Sequence, residues 1–300
     1  FRSAIIMTYE FKEALDNEIT HITLLPNLFF KLFNIIMIER NNIKKIKQRY
    51  LLNYDWLWKT AVFGTSYDFE LILNLKENFK TLKKVIEENN ITCMTGLQLS
   101  GNSKDASHLL GKKIINARKG IDAFYINTDY LEEFNQSHVH RIRDEKIFNS
   151  PYVLLKKGFD INTYRLRAAY SEEEFLFTDA ISSFNGGRKD TLLSITGYLN
   201  SSLYAYLNLM LGSSAGIERE QSFISEILNF PFFEDKEISD LVLEIQNIKK
   251  NILDLTIEDK TKELDNLVLK KFGLENNNFI DYALNIELPE ITNQYISRKV

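Results

Sequence analysis

The segment from Gly197 to Pro231 constrains this chain most. It runs from Gly197-Tyr-Leu-Asn-Ser-Ser-Leu-Tyr-Ala-Tyr206 through a loop of small residues, Gly212-Ser-Ser-Ala-Gly216. A charged start, Ile217-Glu-Arg-Glu-Gln221, and a proline stop, Leu228-Asn-Phe-Pro231, complete it. Asp190 or Thr191 is placed to cap a helix that reaches about Leu211. The apolar residues of that helix (Leu192, Leu193, Ile195, Leu199, Leu203, Leu207 and Met210) span more than one face. Such a helix must be wrapped on several sides, so the chain needs a core thick enough to surround it. Its 300 residues suffice, as one large domain or two small ones.

Hydrophobic residues make up 44% of the chain and charged residues 26%, ordinary for a globular protein. No apolar run approaches the roughly 18 residues that span a bilayer, and no signal-peptide pattern opens the chain. Cys93 is the one cysteine, which excludes a disulfide framework and a thiolate metal cluster and fits a reducing cytoplasm. The formal net charge of −4 is unevenly spread. Residues 1–99 carry +2 and residues 100–190 carry +1, whereas residues 191–233 carry −2 and residues 234–300 carry −5. Because phosphate contact is local, a basic face on the middle of the chain is compatible with binding nucleic acid.

Three parts are expected. Residues 1–88 mix short β-favouring runs (Ala4 to Met7, Ile19 to Leu25, and Ile43 to Leu52 with its basic and apolar alternation) with helices over Tyr67 to Lys76 and Phe79 to Glu87. Glu87-Glu-Asn-Asn90 is a polar break. Residues 89–234 then turn β-rich, with Gly96, Gly101, Gly111 and Gly120 punctuating short segments. Successive strands are expected over Tyr152 to Phe159, Tyr164 to Tyr170 and Phe175 to Phe184, joined by turns at Asp160-Ile-Asn162 and Ser171-Glu-Glu-Glu174. Residues 235–300 are helical: Asp235 to Leu253 is amphipathic, Thr256-Ile-Glu-Asp259 opens a helix that Gly273 ends, and a short helix covers Asn278 to Leu284. The fold class is therefore α+β, with a β-rich central domain, flanking helices and a helical C-terminal segment.

The residues suited to nucleic acid lie in the central part. Lys156 and Lys157 point to opposite faces of a strand, while Arg165 and Arg167 share one face. Paired guanidinium forks suit phosphate or guanine, although a solvated sheet face answered by Glu172 to Glu174 is the plain alternative. Arg188 and Lys189 follow Gly186-Gly187 at a helix start, where backbone amides attract phosphate, or else form an ordinary loop tip. Arg219 follows the small-residue loop, whose glycines read first as a helix cap and tight turn. Lys104 and His108, with Lys112 and Lys113 after Gly111, occupy a glycine-flanked loop.

Other chemistry finds little support. His138-Val-His140 lacks a third metal ligand, and Gly96 to Gly101 is not followed by Gly-Lys-Ser/Thr. Glu10-Phe-Lys12 and Glu258-Asp-Lys260 match half of a nuclease motif, without an apolar strand ahead of either. Trp56 and Trp58, beside Leu57 and Val62, read as core before they read as base-stacking platforms.

The order of these segments resembles the C-terminal target-recognition (specificity) region of adenine-N6 DNA methyltransferases from restriction-modification systems, of the TaqI-like kind found in type II and IIG enzymes. The resemblance also draws on Asn27-Leu-Phe-Phe-Lys-Leu-Phe33, Asp55-Trp-Leu-Trp-Lys59 with Gly64-Thr65 and Asp68, and Asp105-Ala-Ser-His108 with Gly111-Lys112. Pro151-Tyr-Val-Leu-Leu-Lys-Lys157, Arg165-Leu-Arg-Ala-Ala-Tyr170 and Phe177-Thr-Asp-Ala-Ile181 complete a set running from about Asn27 to Asn285. One departure matters. The prolines are Pro26, Pro151, Pro231 and Pro289, so there is no Asn/Asp-Pro-Pro-aromatic motif, and no Gly-x-Gly follows an N-terminal strand.

The resemblance thus implies sequence-specific recognition of double-stranded DNA, presenting an adenine to a methyltransferase core that lies outside this chain. Residues 1–88 would be the edge of that core or the crossover from it, 89–234 the recognition domain. S-adenosylmethionine is implied for the parent enzyme, with no cofactor site and no catalytic residue expected here. The alternative is an assembly module that binds a partner subunit, or itself, through the C-terminal helices.

Overall fold

The computed structural model describes residues 7–8, 17–23, 32–38, 40–217, 220–251, 257–275, 278–289 and 292, and the fold is α+β. An antiparallel ribbon pairs β1 (Glu18–Ile22) with β2 (Ile43–Lys47). Helices α1 (Gln48–Asn53), α2 (Leu57–Phe63), α3 (Ser66–Asn78) and α4 (Leu82–Glu88) follow. Leu57 and Phe63 are buried, but Trp58 is 44% exposed, so only part of the tryptophan-bearing segment is core. Trp56 is half-buried and joins a ring cluster with Tyr54 and Phe69. The expected runs at Ala4 to Ile6 and Leu24-Leu25 lie outside the described residues, as do Arg219, Leu253 and Thr256.

The middle of the chain builds one four-stranded antiparallel sheet. Strand β3 (Thr92–Thr95) is followed by short strands β4 (Lys104–Asp105), β5 (Lys113–Ile115), β6 (Ile121–Asp122), β7 (Tyr125–Ile126), β8 (Leu131–Glu133) and β9 (His138–Val139). The longer strands β10 (Tyr152–Lys156), β11 (Ala168–Ser171) and β12 (Ile181–Asn185) then join β3 in the order β11-β10-β12-β3. Strand β10 is central and its first four residues are buried, as expected of a strand covered on both faces. Its register pairs Val153 with Phe184 and Leu154 with Ser183, so Val153 and Leu155 face one side while Tyr152, Leu154 and Lys156 face the other.

That alternation divides the interior. On the Val153 side the sheet meets the helices. On the Tyr152 side it meets a lobe of three hairpins (β4 with β9, β5 with β8, β6 with β7) filled by Leu97, Leu109, Ile115, Phe134, Val139 and Ile147. Single bridges from Leu97 to Thr178 and from Ile114 to Leu176 tie the lobe to the segment leading into β12.

The expected helix from Asp190 to Leu211 is two helices, α5 (Lys189–Asn200) and α6 (Ser202–Leu211). The break has a physical cause. The Asn200 side chain accepts from the Ala168 N–H at 3.0 Å and donates to the Ala168 carbonyl at 2.8 Å, completing the free edge of β11. Ser201 then leaves the helical conformation (ψ 157°) and its hydroxyl caps α6 by accepting from the Tyr204 N–H. Both helices are buried almost throughout, as their apolar pattern demands. Helices α7 (Ile224–Ile227), α8 (Lys236–Lys250), α9 (Ile257–Lys271) and α10 (Phe279–Tyr282) complete the fold, with Asp235 capping α8. Gly197 lets α8 and α9 approach α5 closely, since a Cβ there would lie 2.5 Å from Ile238 Cγ2.

The larger core draws on Phe63, Ile72 and Leu82, on Val153 and Phe184, and on Ile238, Val242, Leu264 and Leu288. It therefore crosses both expected boundaries, at residues 88/89 and 234/235. The smaller core of the hairpin lobe lies wholly within residues 97–181.

Candidate nucleic-acid interface

The site is built where β10 leaves the sheet. Lys156, the last residue of β10, lies on the lobe side, and its ammonium donates to the Arg118 carbonyl at 2.9 Å. Arg118 and Lys119 belong to a turn that Asn116 organises: its side-chain oxygen accepts from the N–H groups of Arg118 at 3.1 Å and Lys119 at 3.3 Å. Lys119 lies 5.8 Å from the ring of Tyr130. Burial lowers the Lys156 pKa, and the positive charges of Arg167 and Arg118 lower it further, against the pull of Asp122. These cations are held together against their mutual repulsion, the condition an anionic ligand relieves.

The next residues extend the site. Lys157 is half-exposed, with no side-chain partner among the described residues. Its carbonyl accepts from Ser222 N–H at 2.9 Å and Gly158 bridges Gln221, so the end of the charged loop runs beside β10. Arg167 donates to the carbonyls of Gly158 and Phe159, at 3.4 and 3.2 Å. The structure thus brings together Lys156 and Arg167, adds Arg118 and Lys119, and leaves the Lys157 side chain on the other face of the strand, its backbone bonded to Ser222. Those two went unnoticed in the sequence, although Asn116-Ala-Arg-Lys-Gly120 is a turn signature carrying two cations.

Arg165 requires a correction. Residues 165–167 precede β11 instead of lying in it, and Arg165 is turned inward. Its guanidinium makes a bidentate pair with Asp265 on α9 and donates to the Asn200 carbonyl at 2.8 Å. Asp265 also accepts from Ser202 N–H at 2.7 Å, so this ion pair joins sheet, buried helices and tail. Side-chain exposures of 24% and 10% leave little of it for DNA.

The remaining basic residues are dispersed. Arg188 pairs with Glu234 at 2.7 Å, and Lys189 pairs with Glu172 at 2.6 Å while lying over the Tyr170 ring. Both cations at the start of α5 are thus paired with carboxylates. Lys112 and His108 share Glu145, at 2.7 and 3.2 Å. Lys104 and Lys113 are exposed on β4 and β5, away from the β10 cluster in sequence and pairing, and have no ion-pair partner among the described residues. No group of three or more His, Cys, Asp or Glu side chains suited to a metal occurs among the described residues, and none of their helices is long and apolar enough to cross a membrane.

The small-residue loop is held from below. Lys59 on α2 donates to the carbonyls of Gly212 and Ala215, the latter at 2.8 Å, and Glu226 accepts from Ser213 N–H at 2.9 Å. A Cβ at Gly212 would lie 2.6 Å from the Asn208 carbonyl, and Gly216 has φ +75°, so both glycines serve the turn itself.

No family model matches the chain, and no curated protein matches it. Among solved structures it is similar to the type IIL restriction-modification enzyme MmeI in complex with DNA, with a TM-score of 0.46 and 10% identity over 69% of this chain and 36% of that one. It is also similar to the type IIG restriction endonuclease BpuSI, with a TM-score of 0.46 and 15% identity over 84% of this chain and 36% of that one. The chain thus spans little more than a third of either enzyme.

Proposed function

We propose that the chain is a double-stranded DNA-recognition module of an adenine-N6 DNA methyltransferase from a restriction-modification system. The observation that carries this reading is the cation cluster of Lys156, Arg167 and Arg118 at one end of the central sheet, with Lys119 in the same turn as Arg118 and Lys157 following on the other face of the strand. Phosphates would be met by the lysines, which position the duplex without reading it, and sequence would be read by the side chains that reach base edges. In the parent enzyme, S-adenosylmethionine would supply the methyl group, held by a core outside this chain. Two glycine segments among the described residues are not shaped to hold that cofactor. The loop at Gly212 to Gly216 is closed on Lys59 and Glu226, and a Cβ at Gly96 would lie 2.2 Å from the Phe177 carbonyl, so neither glycine segment forms an open cradle.

The assembly reading gains no support from α8 and α9. Their exposed residues are polar throughout, among them Lys236, Glu237, Asp240, Glu244 and Asn247 on α8, and Glu258, Asp259 and Glu263 on α9. A docking helix would present an apolar stripe instead. Fluorescence anisotropy on short labelled duplexes at several salt concentrations tests the DNA reading. Log affinity should fall linearly with log salt, and Lys156→Ala with Lys157→Ala should flatten the slope by about one unit per lost phosphate contact. Absence of binding to any duplex at low salt refutes the proposal.

A further inference from the structure

We infer that Arg118 is the residue through which this module reads a guanine, presented by a turn whose backbone is fixed from several sides. This rests on the DNA-recognition reading above and goes beyond it by naming a base-reading side chain. The turn is restrained at Asn116, Arg118, Lys119 and Gly120. Asn116 Oδ1 takes the N–H groups of Arg118 and Lys119, and the Asn116 carbonyl accepts from Gly120 N–H at 2.8 Å. Asn116 itself is tied to β8 and the residue before it, its N–H donating to the Tyr130 carbonyl at 3.1 Å and its amide to Glu132 at 2.9 Å. Lys156 holds the Arg118 carbonyl, and Asn127 N–H donates to the Gly120 carbonyl at 2.9 Å. Gly120 is packed so closely that a Cβ would lie 2.5 Å from Ile115 Cδ1.

On this rigid base the side chains are unequally occupied. Lys156 spends its ammonium on a carbonyl, Lys119 leans towards Tyr130, and Arg167 donates to two backbone oxygens. Arg118 is exposed, and its guanidinium has no partner among the described residues. Its five N–H donors are therefore unspent. Two parallel donors match the O6 and N7 acceptors on the major-groove edge of guanine, a match a lysine cannot reproduce. Fixing the backbone in advance reduces what must be ordered on binding, which separates a reading residue from a mobile surface cation. Lys157, Lys104 and Lys113 offer point charges, suited to phosphate.

Selection of duplexes from a pool with a randomised 20-base-pair centre, using the wild-type chain, Arg118→Ala and Arg118→Lys, tests the assignment. Thermal melting checks that each variant is folded. We expect the wild-type consensus to hold a G·C pair that becomes degenerate in both variants while other positions persist. Affinity for the selected duplex should fall about 5- to 150-fold in Arg118→Ala. Arg118→Lys should lose nearly as much on that duplex while keeping wild-type affinity for a scrambled one. Equal weakening on both duplexes, rescue by lysine, or no change at all overturns the guanine assignment and leaves DNA binding standing. A wild-type chain that retains no duplex overturns the DNA reading itself.

Discussion

Lys59 is a side chain whose chemistry the fold alters. Burial lowers its pKa to about 7, with Glu226 pulling the other way, while its ammonium holds the carbonyls of Gly212 and Ala215. An unfolded lysine titrates near 10.5. Between about 7 and 10.5 the unfolded chain therefore binds more protons, and stability from this group rises with pH, by at most about 1.4 kcal/mol per unit. Below about 7 both states are protonated and the contribution is flat. Urea unfolding of Lys59→Met should show a shallower rise than wild type between pH 7 and 8.5, and parallel curves would refute the account. Above pH 9 Cys93, pushed up to about 12 by burial, acts in the opposite direction, so that range is avoided. Arg165 shows what residue-level reading misses. Its spacing from Arg167 is visible in the sequence, but its partner Asp265 lies 100 residues away and gives no local signal. Asp265→Ala should strand a mostly buried guanidinium and the Ser202 N–H, lowering stability by about 3 kcal/mol in the same assay. A loss under 1 kcal/mol would mean that the pair is solvated.

At the scale of elements, long segments with a strong pattern were legible and short ones were not. The apolar run of β10, the turn at Asp160 and the start of α8 at Asp235 follow from local chemistry, whereas the strand expected over Phe175 to Phe184 forms only from Ile181, after a turn at Asp179-Ala180. The break between α5 and α6 does not, because it arises from Asn200 completing the edge of β11, a tertiary contact that overrides helix continuity. The hairpin lobe was visible only as glycine punctuation. Its strands hold two or three residues each, too few to display a period, and they are set by pairing with distant segments. Gly197 joins the two levels: the sequence places it mid-helix, where glycine is unfavourable, and the packing of α8 explains it. Gly197→Ala should gain helix propensity yet lose stability by about 1–3 kcal/mol, since the β-branched Ile238 leaves no room for the methyl. A stabilised variant in denaturant titration would show that α8 gives way freely.

At the scale of the molecule, the three parts expected from the pattern of strands and helices meet in one shared core. The tail is set off in the sequence by its helical pattern and its excess of acidic residues. Charge reports the surface, however, and the buried faces of α8 and α9 supply Ile238, Leu241, Val242, Ile245, Leu264 and Val268 to the core that also holds Phe63, Val153 and Phe184. Ending the chain after Glu234 removes those side chains and the partner of Arg165, uncovering α5 and α6, whose buried faces have no substitute. We expect that truncated chain to lose cooperative thermal unfolding, and DNA binding with it, through loss of the fold. A second variant separates fold from contact. Asp240→Lys with Glu258→Lys changes exposed positions on α8 and α9 by four charge units and leaves the core intact. Fields between exposed charges fade over a Debye length of about 8 Å at physiological salt, so duplex affinity should stay within about threefold of wild type there. If the truncated chain melts cooperatively at the wild-type temperature, the core is not shared as described. If the double reversal tightens DNA binding tenfold or more in a normally folded protein, the tail borders the duplex, and the interface extends well past the turn at Arg118.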